Sequence, residues 1–147
     1  MKILIALAAL PLMAADPQGF SARTKADLES KANAAKIDEH KVGLDRAANW
    51  GNHALLLVHR VGDGEAEVHD TQVDIVTVIS GEGTLVVGGT TVDGRTTAPG
   101  ETRGKSITGG TKHKMAPGDV FHIPAKVPHQ MLVPKDLVIQ VVKVESK

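Results

Sequence analysis

The sequence predicts an antiparallel β-sandwich or barrel preceded by a short helical arm, on three observations. After Asn52, short segments rich in Val, Ile, Leu and Thr recur, and most breaks between them carry Gly, Pro or Asp. In several of these segments apolar side chains sit two apart, the period of a strand with one buried face. No long helical segments alternate with the strands, which argues against a parallel α/β sheet.

Taken in order, the chain opens with Met1 and Lys2, an apolar run from Ile3 to Met13, and Ala14-Ala15 before Asp16. Eleven apolar residues are too few to span a bilayer, so the run reads as a signal peptide cleaved after Ala14 or Ala15. An apolar N-terminal helix or strand kept in the fold is the alternative. Residues 1–15 are accordingly expected as a leader, 16–50 as an N-terminal helical arm and 51–147 as a single β-domain, exported to the periplasm or secreted. Between Ser21 and about Lys36, alanines alternate with Lys25, Asp27, Glu29 and Lys31, and Ser21 or Thr24 can cap. The apolar stripe Leu28, Ala32, Ala35 is thin, which suits a helix laid on the surface of a larger body.

Strands are expected at His53 to Val61, Glu65 to His69, Asp74 to Ser80, Thr84 to Val87, Thr90 to Val92, Val120 to Ile123, His129 to Val133 and Leu137 to Val144. The Gly/Thr-rich insertion at 95–111 reads mostly as a loop, with one short strand around Lys105 to Thr108. In Val120 to Ile123, three of four residues are apolar, which predicts burial on both faces. Pro124 ends that strand, and a second proline, Pro128, fixes the backbone just before His129.

Composition excludes several functions. The 17 basic and 17 acidic residues balance, arguing against a nucleic-acid or polybasic membrane surface. The chain has no cysteine, so disulfides, thiolate nucleophiles and Cys-based zinc sites are absent. Trp50, Phe20 and Phe121 are the only aromatic residues, leaving little for stacking sugars or bases. The core must be largely aliphatic.

The chemistry concentrates in four residues. Glu67 and His69 are two apart in one strand and leave the same face. Asp74 opens the next strand on the face of Val76 and Val78, and His129 opens a later one on the face of Met131 and Val133. If these strands line one cavity, two histidines and two carboxylates converge. Two imidazoles and one carboxylate form a facial triad for a divalent first-row metal, and Fe, Mn, Zn, Ni and Cu all accept such N and O donors.

The spacing resembles that of the cupin superfamily. Glu67-x-His69, four residues, Asp74, six residues and Gly81 fit the first cupin motif; Gly118, five residues, Pro124-x-Lys126, two residues and His129 fit the second. The resemblance covers about Ala54 to Val144. It implies a double-stranded β-helix (jelly-roll) domain and, carried over by position, a metal site of Glu67, His69, Asp74 and His129. Glu67 replaces the family's first histidine, Asp74 its glutamate, Lys126 a glycine and Val133 an asparagine. Each altered ligand position still carries a metal-binding residue.

Bland alternatives stand beside these roles. His129 can be a hydrogen-bonded histidine at a loop–strand junction, His69 strand surface, Asp74 a turn cap, and Glu67 a solvated acid beside Glu65. Glu67 is either a fourth ligand or a general base. His59 and His122 are possible pocket-lining residues, whereas His113 is expected in solvent. Two functions follow: a metalloenzyme of oxygenase, isomerase or lyase type acting on a small molecule, or a non-catalytic binder of a small molecule or sugar. The resemblance also implies a possible homodimer.

Overall fold

The structure is a computed structural model describing residues 15–146, so the expected leader, apart from Ala15, lies outside the described residues. One helix, α1 (Lys25–Ala34), precedes thirteen strands among the described residues: β1 (Val42–Asn49), β2 (His53–Arg60), β3 (Ala66–His69), β4 (Gln72–Gly81), β5 (Gly83–Val87), β6 (Thr90–Val92), β7 (Arg95–Ala98), β8 (Glu101–Gly104), β9 (Ser106–Thr108), β10 (Thr111–Met115), β11 (Val120–Ile123), β12 (His129–Leu132) and β13 (Leu137–Glu145). A five-stranded sheet in the order β1-β2-β13-β4-β11 faces a six-stranded sheet in the order β10-β5-β12-β3-β8-β7, and β6 and β9 form a separate ribbon. The pairings are antiparallel, as the alternating pattern predicts.

The core lies between the sheets. Leu56, Val58, Val76, Val78, Ile139 and Val141 from the first meet Leu85 and Met131 from the second, with Met115, Val133 and Ile123 closing the cluster. Each such aliphatic side chain contributes roughly 1.5–3 kcal/mol when fully buried. With only two phenylalanines and one tryptophan in the chain, this core is aliphatic, as composition required.

Helix α1 starts at a capping box. The Asp27 amide donates to Thr24 Oγ1 and the Thr24 amide donates to Asp27 Oδ2, both at 3.1 Å. Hydrogen bonding to Thr24 holds the Asp27 carboxyl below its ordinary range. Ala32 is fully buried, and with Leu28 it packs on Leu57, Ile79, Val138 and Ala47. The thin stripe therefore covers the outer face of the five-stranded sheet, not a sheet edge.

Three expectations differ from the structure. The 16–50 stretch is not helical throughout: its last part forms β1, which pairs with β2 from Val42 opposite Arg60 to Asn49 opposite Ala54. Gly43 and a run of small or polar residues hide this strand from a search for apolar alternation. The 95–111 stretch is not mostly loop: its threonines, good strand formers, help build the exposed edge strand β7, the inner strand β8 and the ribbon strand β9. Finally, β11 is an edge strand buried on one face only; Val120 is 62% exposed, whereas Ile123 is buried.

The connection from β11 to β12 is constrained as its prolines suggest. Lys126 has φ of 66°, a left-handed conformation, and its amide donates to the carbonyl of His69 at 2.7 Å. The glycine of the family pattern falls at this position, and the backbone shows why: a residue with a Cβ costs roughly 1–2 kcal/mol there. Glycine loses about 0.5–1 kcal/mol to its greater unfolded-state freedom. Lys126→Gly is therefore expected to stabilise the fold by up to about 1 kcal/mol, seen as a higher urea midpoint at unchanged slope. A lower midpoint would show that the lysine side chain contributes more than the strain it carries.

Candidate metal centre

Register, more than proximity in sequence, assembles the site. On β3, Glu67 stands opposite His129 of β12 on one side and Arg103 of β8 on the other. His69 stands opposite Glu101 of β8, and Asp74 of β4 stands opposite Lys143 of β13. Directly opposed residues in an antiparallel pair have Cβ atoms about 4.5–5.5 Å apart, so each pair is in contact by construction. All four residues expected from the sequence converge between the sheets.

The donor atoms lie close together. His69 Nε2 is 3.3 Å from Asp74 Oδ2 and 3.6 Å from Glu67 Oε2. His129 Nε2 is 3.7 Å from Asp74 Oδ2 and 3.9 Å from Glu67 Oε2. Glu67, His69 and His129 each present a ligand atom within 4.8 Å of the other two. His69, Asp74 and His129 are each no more than 5% exposed.

The imidazole tautomers follow from their neighbours. His129 Nδ1 lies 3.1 Å from the Val127 carbonyl, which can only accept, so Nδ1 carries the proton. Its Nε2 lone pair then faces two carboxylate oxygens, an arrangement of acceptors that a cation or a hydrogen-bond donor would relieve. His69 Nδ1 lies 2.8 Å from both oxygens of Glu101 and donates to them. This leaves His69 Nε2 as an acceptor, and Lys143 Nζ donates to it at 2.9 Å while also donating to Asp74 Oδ1 at 2.8 Å. Glu67 Oε1 accepts from Arg60 Nη2 at 3.2 Å and contacts Arg103 Nη1, leaving Oε2 for the histidines.

Electrostatics follow the same lines. Burial works to raise the Asp74 pKa, but hydrogen bonds and charge from His69 and Lys143 overcome it and bring the carboxyl to about 2. Burial likewise opposes ionisation of Glu67, and Arg103, His129, Arg60 and His69 together hold it below the ordinary carboxylate range. Burial pushes His129 down and keeps it neutral despite Glu67 and Asp74. For His69, burial lowers the affinity for a proton, but the nearby Asp74 and Glu101 carboxylates outweigh it, with Lys143 opposing, so the net direction is upward. The Nε2 atoms of the two histidines thus border a locus that attracts positive charge.

A cavity of about 590 Å³ opens onto this cluster. Leu56, Val58, Met131, Ile139 and Val141 form its apolar wall, and Arg60, Arg103 and Lys143 stand at its polar end. Its size is that of a small-molecule site.

His59, His122 and His113 stay outside. His59 lies on the face of β2 opposite Val58 and pairs with Asp136 at 2.5 Å, while His122 is exposed on β11. His113 is exposed, as expected.

Four contributors went unrecognised in the sequence: Arg60, Glu101, Arg103 and Lys143. Arg60 and Lys143 had a signal, since each continues an inward-facing apolar row, Leu56 and Val58 in one strand and Ile139 and Val141 in the other. Glu101 and Arg103 have none, because the Gly/Thr-rich composition around β8 is that of a loop.

No family model and no curated protein sequence matches the chain. Solved structures do. KdgF from Halomonas sp. matches with a TM-score of 0.57 and 15% identity, over 77% of this chain and 88% of its own. A conserved protein with a double-stranded beta-helix domain from Klebsiella pneumoniae matches at 0.57 and 15%, over 90% and 93%. Hydroquinone 1,2-dioxygenase PnpCD, in complex with Cd2+ and 4-hydroxybenzonitrile, matches at 0.61 and 11%, over 90% and 82%. These likenesses establish the fold, a cupin-type double-stranded β-helix.

The Asp74 shift has a measurable consequence. Its folded-state pKa lies below its unfolded value near 3.8, so the ionised carboxylate stabilises the fold fully above about pH 4 and that contribution is lost as pH falls through about 2. The amount is on the order of 2 kcal/mol. Urea unfolding across this window is expected to show a shallower pH dependence in Asp74→Asn than in the wild type; identical slopes would contradict the assignment.

Proposed function

We propose that this cupin-fold protein is a metal-dependent enzyme acting on a small molecule, with Glu67, His69 and His129 as ligands and Asp74 as the fourth donor. The observation that carries the reading is the set of separations, 3.3–3.9 Å, between histidine nitrogens and carboxylate oxygens contributed by three different strands. Donors about 2.0–2.2 Å from a common ion in a tetrahedral arrangement stand about 3.3–3.6 Å apart. An N₂O₂ donor set suits Fe, Mn, Zn, Ni or Cu. The Cd2+ complex of hydroquinone 1,2-dioxygenase is supporting context from a neighbour of the same fold.

When bound, the metal would supply a Lewis acid at the polar end of the cavity, able to polarise a substrate oxygen or activate water or dioxygen. The protein's own groups do the rest. Val127 and Glu101 fix the two imidazole tautomers so that both Nε2 lone pairs face the centre. Arg60 and Arg103 hold one oxygen of Glu67 and orient the other toward the histidines, where it serves as a ligand or accepts a proton from substrate. The aliphatic wall would receive the apolar body of the substrate. The leader pattern at residues 1–15 supports an exported protein and a reaction needing no cytoplasmic cosubstrate.

A second reading, a non-catalytic small-molecule binder, is favoured by one observation: Lys143 already donates to His69 and Asp74. Turnover in a substrate screen that is abolished by chelator and restored by metal would decide for the enzyme.

Metal analysis tests the centre itself. The wild type under replete conditions is expected to carry about one metal per chain, and His69→Ala and His129→Ala to lose it. Glu101→Gln, which still accepts but no longer carries charge, is expected to weaken metal binding by about 10- to 100-fold. Absence of metal from the replete wild type would overturn the metalloenzyme reading.

A further inference from the structure

The metal centre proposed above contains a resident competitor. Lys143 Nζ lies 2.9 Å from His69 Nε2 and 2.8 Å from Asp74 Oδ1, so its ammonium uses two of the groups a metal requires. Its placement is not accidental rotamer choice: Lys143 is directly opposite Asp74 in the β13–β4 ladder, and its side chain continues the inward row of Ile139 and Val141. Only 19% of that side chain is exposed.

A single lone pair on His69 Nε2 cannot accept from an ammonium and coordinate a metal at once. Charge gives the same answer. Within the cluster, the carboxylates of Glu67, Asp74 and Glu101 face the basic side chains of Arg60, Arg103 and Lys143, so the formal charges already balance. A dication added with Lys143 in place would leave two uncompensated charges in a largely buried site, and repulsion over about 3–4 Å far exceeds thermal energy at any plausible interior dielectric.

We propose that Lys143 and the metal exclude one another: the ammonium holds Asp74 and His69 in place as an internal counter-ion, lowers the affinity for metal, and swings into the cavity when metal binds. The inference rests on the metal-centre reading and adds a function to a residue that reading does not use. Withdrawn from Asp74, the amine stays within the cavity that Lys143 lines, where it can meet an anionic group of a bound molecule.

The test uses purified wild type, Lys143→Met and Lys143→Arg, with Zn(II) alone as probe. Lys143→Met keeps an apolar stem of similar length and removes the charge. It is expected to bind Zn(II) at least about tenfold more tightly than wild type, and its melting temperature is expected to rise more on Zn(II) addition. Lys143→Arg, which keeps the charge, is expected to remain near wild-type affinity. Binding by Lys143→Met alone would overturn displacement of the ammonium in the wild type, and with it the metalloenzyme reading. Equal or weaker Zn(II) affinity in folded Lys143→Met, with the wild type binding normally, would overturn the competition and leave the metal centre standing. No binding by either protein would overturn both.

A second measurement needs no variant. Reductive methylation of the wild type, read by mass spectrometry at Lys143, is expected to run several-fold faster with saturating Zn(II), because the amine leaves two hydrogen-bond partners. An unchanged rate at saturation would contradict displacement.

Discussion

Two carboxylates between the sheets, the buried Asp74 and the half-buried Glu67, set the terms for everything around them. An isolated carboxylate in such a place would take up a proton, since desolvation disfavours its charged form. Both instead remain ionised, and each does so through a specific cation fixed by strand pairing. Glu67 has Arg103 across the β3–β8 ladder and Arg60 reaching in from β2; Asp74 has Lys143 across the β4–β13 ladder. The two sheets are joined by charge, through Arg60 on Glu67 and His69 beside Asp74, and by aliphatic packing. The cavity lies where these regimes meet.

This dependence on pairing explains what could be read from the sequence. The stretch from Gly118 to His129 was legible because its constraints are local: a turn, a short strand, a proline stop and a second proline that aims one histidine. The inward faces of Glu67 and His69, of Asp74 with Val76 and Val78, and of His129 with Met131 were legible for the same reason, since period-2 alternation fixes a face from a few neighbouring residues. Alternation does not say which strand lies opposite. Glu101 reaches His69 across 32 positions and Lys143 reaches Asp74 across 69, separations at which nothing in the local pattern carries information. The strand β8 was doubly hidden, because Glu-Thr-Arg-Gly has the composition of a loop although it lies between β3 and β7. The strand β1 was hidden by its glycine, alanines and charges.

Lys126 shows a different limit. The family pattern has glycine at this position, and the backbone retains the left-handed conformation that glycine would adopt without cost. The constraint comes from the His69 carbonyl, which holds the Lys126 amide at 2.7 Å and thereby ties the loop before His129 to the strand carrying His69. Two donors from distant parts of the chain are thus positioned by one backbone hydrogen bond. A side chain is tolerated there because the surrounding ladder over-determines the turn.

The departures from the family's ligand pattern also become coherent as one set. Glutamate in place of the first histidine brings a negative charge into the site, and a lone extra anion would bind protons or metal indiscriminately. The two arginines on Glu67 Oε1 offset that charge while leaving Oε2 directed at His69 and His129. Aspartate in place of glutamate shortens the side chain by one methylene, yet Oδ2 still reaches within 3.3 Å of His69, because the other oxygen is drawn to Lys143 on the neighbouring strand. Exchanging any one of these residues for its family counterpart would leave another unbalanced: histidine at position 67 would strand two arginines without a carboxylate, and loss of Lys143 would leave Asp74 facing two imidazoles alone. Each of these residues is matched in charge to a neighbour on another strand, so the cupin-like spacing carries a cluster with its own balance of charge.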